Sequence, residues 1–282
     1  MTNVFLGSEA LARGDMTEHE LRRWNRAIFR DVYLPCRDDL TLHDRIEGAW
    51  LRSGRKGVIA GVAASALHHA QWVDHDIAIE LIWSNTRPPP GLIARDETLS
   101  ADEITEVAGL PVTTPARTAY DLGRHLPRGQ AIARLDALAR ATPFGIDDVL
   151  LIAQAHRGAR GVRRLGTVLP LVDDGAASPK ETWLRLSLID AGLPVPTTQI
   201  PVCGGSSWPF AYLDMGWETY KVAAEYDGDQ HRTDRRQYVK DQGRQRSLEA
   251  MGWINIRVIN EDRRRDVTAR VRAALWSRGW RP

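Results

Sequence analysis

Seven residues, Asp173-Asp174-Gly175-Ala176-Ala177-Ser178-Pro179, constrain the fold of this chain most, because they divide it. Adjacent carboxylates, a glycine and a proline continue neither a helix nor a strand. Order restarts at once: Ser178 suits a helix cap, Pro179 the first helical position, and Glu181 the third. Trp183, Leu184, Leu186, Leu188 and Ile189 then carry a helix that ends at Gly192. At 282 residues the chain is long enough for a core on each side of the break.

Upstream, Ser8 to Gly14 reads as one short helix closed by a glycine. Thr17 and Glu20 have the spacing of a capping box, followed by Leu21, Trp24 and Ile28 at helical intervals with Arg22, Arg23 and Arg26 opposite. Ile28 to Leu34 reads as a hairpin-like pair of short strands. Helix, helix and wing predict a small winged helix-turn-helix; a docking subdomain without DNA contact has the same pattern.

From Thr41 to Leu169 helical and strand patterns alternate. Leu42 to Leu51 and the small-residue run Val62 to Leu67 are expected helices, and Asp76 to Trp83 an expected strand. Glu106 to Val112 predicts a strand with a turn, Thr114 begins a helix with proline in its first turn, and Gln130 to Arg140 a further one. His68, His69 and His75 have no acidic partner at metal-ligand spacing, so they read as structural or surface histidines. Arg117 and Asp121 read as an i,i+4 ion pair worth only a few tenths of a kcal/mol.

Downstream of the break the carboxylates gather. Lys221 to Asp227 reads as a strand stopped by Gly228, with Val222, Ala224 and Tyr226 on the core side and Lys221, Ala223, Glu225 and Asp227 on the other. Glu225 and Asp227 on one face repel each other unless a cation or proton intervenes. With Asp214 on the preceding strand and His231 beyond the turn, they form a candidate divalent-metal site. Thr233 to Met251 is expected as a long helix, Trp253 to Val258 as a strand and Val267 to Trp276 as a closing helix.

The net charge is +2, but residues 232–282 hold fourteen Arg or Lys against six Asp or Glu. Arginine pairs with phosphate and stacks on bases, which makes Arg232, Arg235, Arg236, Lys240 and Arg244 candidate nucleic-acid contacts. Charge alone separates neither a polyanionic partner from a bias toward arginine nor DNA from RNA. Two cysteines, Cys36 and Cys203, make no disulfide framework, and no apolar run approaches membrane-spanning length. The expectation is a reduced, cytoplasmic protein with no membrane partner.

Several pieces of the last third occur together in one known order: Ser178-Pro179-Lys180-Glu181, Gln199-Ile200-Pro201-Val202, Leu213-Asp214, Glu225-Tyr226-Asp227-Gly228 with His231, then Asp241, Arg244, Leu248, Gly252-Trp253 and Arg257. This part resembles the domain of unknown function family 559, related to very short patch repair endonucleases within the PD-(D/E)XK nuclease superfamily. The resemblance implies a mixed sheet flanked by helices and a DNA endonuclease site using Mg²⁺ or Mn²⁺. It implies Glu181, Asp214, Glu225 and Asp227 as metal ligands and Asp214, Glu225, Asp227 and His231 as the catalytic set, with His231 as acid–base. The superfamily's usual lysine falls at Asp227. Lys221 shares the strand face but lies about 13 Å back, too far to replace it.

Arg30 to Tyr33, Val62 to His68 and Val112 to Leu122 are similar to AbiEi-type antitoxins of type IV toxin–antitoxin systems, which join a winged helix to a larger α/β domain and repress their own promoters. The expected class is therefore α/β in the α+β sense. It comprises a winged helix-turn-helix-like unit (1–36), an AbiEi-like α/β domain (37–172) and a restriction-endonuclease-like mixed sheet flanked by helices (176–282). The expected function is a metal-dependent DNA endonuclease. The alternative is a non-catalytic DNA-binding regulator or antitoxin carrying an inactive nuclease fold, with a cognate toxin as partner.

Overall fold

A computed structural model of the chain describes residues 3–85, 87–204, 208–228 and 235–282. It divides into two units, residues 1–172 and 173–282. In the first, strand β1 (Phe5–Leu6) leads into helix α1 (Gly7–Arg13), which closes on Gly14 in the left-handed region. Thr17 then caps α2 (Glu18–Trp24): its hydroxyl accepts the Glu20 N–H, and the Glu20 carboxylate accepts the Thr17 N–H at 2.8 Å. Strands β2 (Asn25–Phe29) and β3 (Val32–Pro35) form an antiparallel hairpin, and β1 adds to β3. The expected helix, helix, hairpin order is present. The helical spacing through Ile28 is cut at Trp24, where β2 begins.

Helix α3 (Leu42–Arg52) carries the same kind of reciprocal cap, between Thr41 and Asp44. It shares a core with the N-terminal hairpin through Leu51, Val32 and Leu34. Five strands follow in the order β6-β5-β4-β8-β7. They are β4 (Val58–Ala60), β5 (Ile79–Ile82), β6 (Leu92–Arg95), β7 (Ile104–Val107) and β8 (Leu110–Thr113). β4 pairs parallel with β8 and β5 parallel with β6, while the β4–β5 and β7–β8 pairs are antiparallel. Ile46, Ile59, Ala63, Leu81 and Val112 meet in the core between this sheet, α3 and α4 (Gly61–Leu67). Helices α5 (Pro115–His125), α6 (Arg128–Ala141), α7 (Ile146–Ala155) and α8 (Val162–Val168) complete the unit.

The second unit opens with α9 (Pro179–Asp190), capped by Ser178 with Pro179 in its first turn. Four strands follow, β9 (Thr197–Val202), β10 (Ala211–Trp217), β11 (Val222–Tyr226) and β12 (Ile254–Val258), in the order β12-β11-β10-β9. β10 runs antiparallel to both neighbours, whereas β11 and β12 are parallel. Parallel strands need a crossover, supplied by α10 (Arg235–Ala250). Val222, Ala224 and Tyr226 pack toward Leu184, Leu188, Val271 and Leu275, the last two from the closing helix α11 (Arg264–Ser277). Leu248 of α10 joins Ala223 and Trp253 in a second core. Eleven α-helices and three sheets among the described residues place the chain in the mixed α+β class expected for it. No helix among them is long and apolar enough to cross a membrane.

Candidate functional site

The carboxylates of the second unit are brought together by the sheet. The β10–β11 ladder runs from Trp217↔Val222 to Met215↔Ala224, and one residue further the Asp214 carboxylate takes the place of a backbone acceptor. Its Oδ2 accepts the Tyr226 N–H at 2.8 Å. Opposite Asp214 in β9, Gln199 holds a left-handed φ of 49°. That conformation costs a non-glycine residue about 1–2 kcal/mol and sits beside the acid site. Asp214, Glu225, Tyr226, Asp227, Asp241, Arg244 and Arg257 line one pocket of about 320 Å³.

Burial pushes the Asp214 carboxyl up to about 7, and the negative charges of Glu181 and then Glu225 add to the effect. The Tyr226 N–H bond and Arg244 oppose it. Glu181 and Glu225 are therefore electrostatic neighbours of Asp214. Glu225 is buried and fully engaged: Arg244 Nη1 donates to Oε2 at 3.1 Å, Arg244 Nη2 to Oε1, and Asn255 Nδ2 to Oε2. Arg244 also donates to the Tyr212 carbonyl at 2.7 Å. Burial works against its charge, but the bonds and charge of Glu225 outweigh that and hold the Arg244 pKa above its ordinary value.

Glu181 closes its own helix, accepting Ser178 Oγ on Oε1 and the Ala177 N–H on Oε2, each at 2.9 Å. Asp227 is more exposed and lies 3.7 Å from Arg257 Nη1. Each carboxylate thus has its own partner. No group of three or more His, Cys, Asp or Glu among the described residues is placed to hold a metal ion. Held by these partners, the four acids do not fit a divalent cation as they stand.

The other expected site residues divide. Lys240 is exposed on α10. Arg244, expected to face nucleic acid, is turned onto Glu225 instead. Arg235 and Arg236 begin α10. His231 and Arg232 lie outside the described residues. Lys221 is engaged with Trp253, its Nζ 4.9 Å from the ring centroid. Arg257 and Asp241 complete the pocket, and Asn255 holds Glu225 from beside it. Asn255 and Arg257 sit on β12, in parallel register with Ala223 and Glu225, a pairing that no local motif reveals.

One reading of the first unit needs correction. Arg117 and Asp121 are not a weak surface pair, because Arg117 is wholly buried and Asp121 is 1% exposed. Arg117 donates to Asp121 at 3.2 Å, to Glu97 at 2.9 Å and to Glu103. Arg124 donates to Asp121 at 3.1 Å and to Glu97, and both guanidiniums lie over the Tyr120 ring. Burial pushes the Asp121 carboxyl above its usual range despite the two arginines. His68 is structural as expected: it is buried, with Nε2 2.8 Å from the Thr113 carbonyl, and burial lowers its pKa.

Fold and site together describe a two-unit α+β protein with a buried charge network in one unit and an acidic pocket partly paired by arginine in the other. Residues 54–171 match the family model of the AbiEi antitoxin C-terminal domain. Two proteins from strains of Mycobacterium tuberculosis, Uncharacterized protein MT2308 and Uncharacterized protein Rv2248, are each 29% identical to this chain over 212 residues, covering 74% of it and 76% of the relative. No solved structure matches the chain.

Proposed function

We propose that this protein is a DNA-binding regulator of the type IV antitoxin class, with its own promoter as target and a cognate toxin as partner. The observation that carries the reading is the match of residues 54–171 to the AbiEi antitoxin C-terminal domain. The N-terminal helices support it: Arg22 and Arg23 lie in the exposed last turn of α2, beside an exposed Trp24. Guanidiniums so placed suit phosphate contacts, which position a protein on duplex DNA. The test is a mobility shift on DNA from upstream of the gene. Arg22→Ala/Arg23→Ala should weaken binding and flatten its salt dependence. Absence of a shift, or a shift indifferent to both substitutions, rejects the reading.

A second reading, metal-dependent phosphodiester hydrolysis in the C-terminal unit, is favoured by one observation: burial, with the added charges of Glu181 and Glu225, pushes the Asp214 carboxyl up to about 7. Perturbed acids cluster at functional sites, and buried ion-pair networks such as that of Asp121 produce them too. This reading requires Arg244 to release Glu225. Nicking of a supercoiled plasmid with Mg²⁺ or Mn²⁺, lost in Asp214→Ala, supports it; an intact plasmid with either metal removes it.

A further inference from the structure

A pocket of about 710 Å³ opens in the first unit where the chain leaves β6 and where α5 and α7 end. Its volume lies within the roughly 300–1,000 Å³ range of small-molecule sites. Most of the basic groups that line it are already matched. Arg95 holds Glu80 at 2.6 Å, Arg124 holds Glu97 and Asp121, and His156 Nε2 lies 2.7 Å from Glu103. Arg124, His125 and His156 also sit at helix C-termini, where positive charge is favoured anyway.

Arg160 and Arg164 have no such account. Both line the pocket, both are exposed, and neither pairs with a carboxylate among the described residues. Asp96 is the one lining carboxylate that likewise forms no ion pair among the described residues, so the mouth keeps a net positive charge above a floor of fixed ion pairs. The loop that presents Arg160 is held in place: the Arg124 guanidinium donates to the Arg160 carbonyl at 3.3 Å. The next residue, Gly161, has φ +88° and packs so closely that a Cβ there would come within 2.3 Å of the Arg124 carbonyl oxygen.

We propose that this pocket binds a small phosphorylated ligand of nucleotide size, with Arg160 and Arg164 receiving its phosphate groups. Two guanidiniums four residues apart on a fixed loop and helix offer paired N–H donors, the geometry that phosphate oxygens accept bidentately. A concave site in which the remaining charges are internally paired favours a compact polyanion over an extended chain. The site is separate from the acidic pocket and from the N-terminal helices, and it adds a ligand input to the regulator proposed above without depending on that reading.

The test is calorimetric titration of the full chain with ATP and, separately, with inorganic pyrophosphate, in the absence of divalent metal. Saturable ATP binding with Kd below about 1 mM is expected, weakened at least about tenfold in Arg160→Ala/Arg164→Ala. Both side chains are exposed, so the thermal midpoint of that variant should match the parent. Arg246→Ala/Arg263→Ala, which removes exposed charge from the other unit, should leave binding unchanged. Absence of saturable binding, equal affinity in the Arg160/Arg164 variant, or binding of pyrophosphate with none of ATP overturns the proposal. So does tighter binding of a duplex oligonucleotide that the same two substitutions abolish, which would reassign the pocket to a nucleic-acid backbone.

Discussion

Arg244 on helix α10 meets both carboxylate oxygens of Glu225 on strand β11, and Glu225 itself is buried. The crossover helix therefore brings its own counterion to the acidic face of the sheet. A buried carboxylate is costly without a partner, and here that partner is a guanidinium from the element that makes the β11–β12 parallel pairing possible. In the same pocket, burial displaces Asp214 markedly above its ordinary titration range.

Removing the guanidinium should cost stability. Arg244→Ala leaves Glu225 unpaired, and breaking a fully buried pair costs about 3–5 kcal/mol. Arg244 retains 27% side-chain exposure, so water recovers part of that and about 2–3 kcal/mol is expected. Adding Glu225→Gln to Arg244→Ala should restore roughly half, because the stranded charge is gone. Urea denaturation of the parent, single and double variants measures both; a double variant no more stable than Arg244→Ala alone contradicts the account.

Asp214 sets a pH dependence of unusual sign. Its folded-state pKa of about 7 lies above the ordinary aspartate value of 3.8, so between those limits the folded protein holds a proton that the unfolded chain has lost. Stability contributed by this group therefore falls as pH rises from about 4 to about 7, and is fully lost above that. Asp214→Asn keeps an acceptor for the Tyr226 N–H and removes the charge. The variant should unfold several degrees higher than the parent at pH 8 and close to it at pH 4.5, as read by thermal melts at both values. A parent less stable relative to the variant at pH 4.5 than at pH 8 reverses the sign and refutes the assignment.

The buried network of the first unit gives a larger effect. Arg117 joins Glu97, Glu103 and Asp121 with no exposure of its own, so Arg117→Ala takes one cation from three carboxylates, leaving Glu97 and Asp121 to Arg124 and Glu103 to His156, and should cost about 3–5 kcal/mol. Arg117→Lys should recover little, since an ammonium offers no planar fork to three separate acids. Chemical denaturation decides it, and a lysine variant within about 1 kcal/mol of the parent would show that charge alone suffices.

What could be read in the sequence follows from how locally each feature is encoded. The caps at Thr17/Glu20 and Ser178/Glu181 are complete within four residues, and the alternation from Val222 to Tyr226 within five, so all appear where their spacing places them. The Arg117–Asp121 spacing is identical for a solvated pair and a buried one. Only the approach of Glu97 and Glu103 from elsewhere in the chain decides between them. Helix α7 leaves no single-stripe signature, because Ile146, Val149, Leu150, Leu151 and Ile152 spread apolar residues around it. Arg244 sits in a run of basic residues that reads as a surface, and its inward turn depends on Glu225 across the crossover.

Gly161 is the position where a single added carbon should do most harm. Its φ of 88° is left-handed, which costs any residue with a Cβ about 1–2 kcal/mol, and the Arg124 carbonyl oxygen would lie only 2.3 Å from that Cβ. The carbonyl belongs to the last turn of α5, anchored by the Arg124–Asp121 and Arg124–Glu97 ion pairs, so neither side yields without disturbing the network. Gly161→Ala should therefore lose about 3 kcal/mol or more. Gly166→Ala, inside α8 with open space around its Cβ, should gain a few tenths of a kcal/mol up to about 1 from helix propensity. Paired urea melts of the two variants give the comparison directly, and similar midpoints would mean that the loop before α8 moves freely enough to absorb the methyl group.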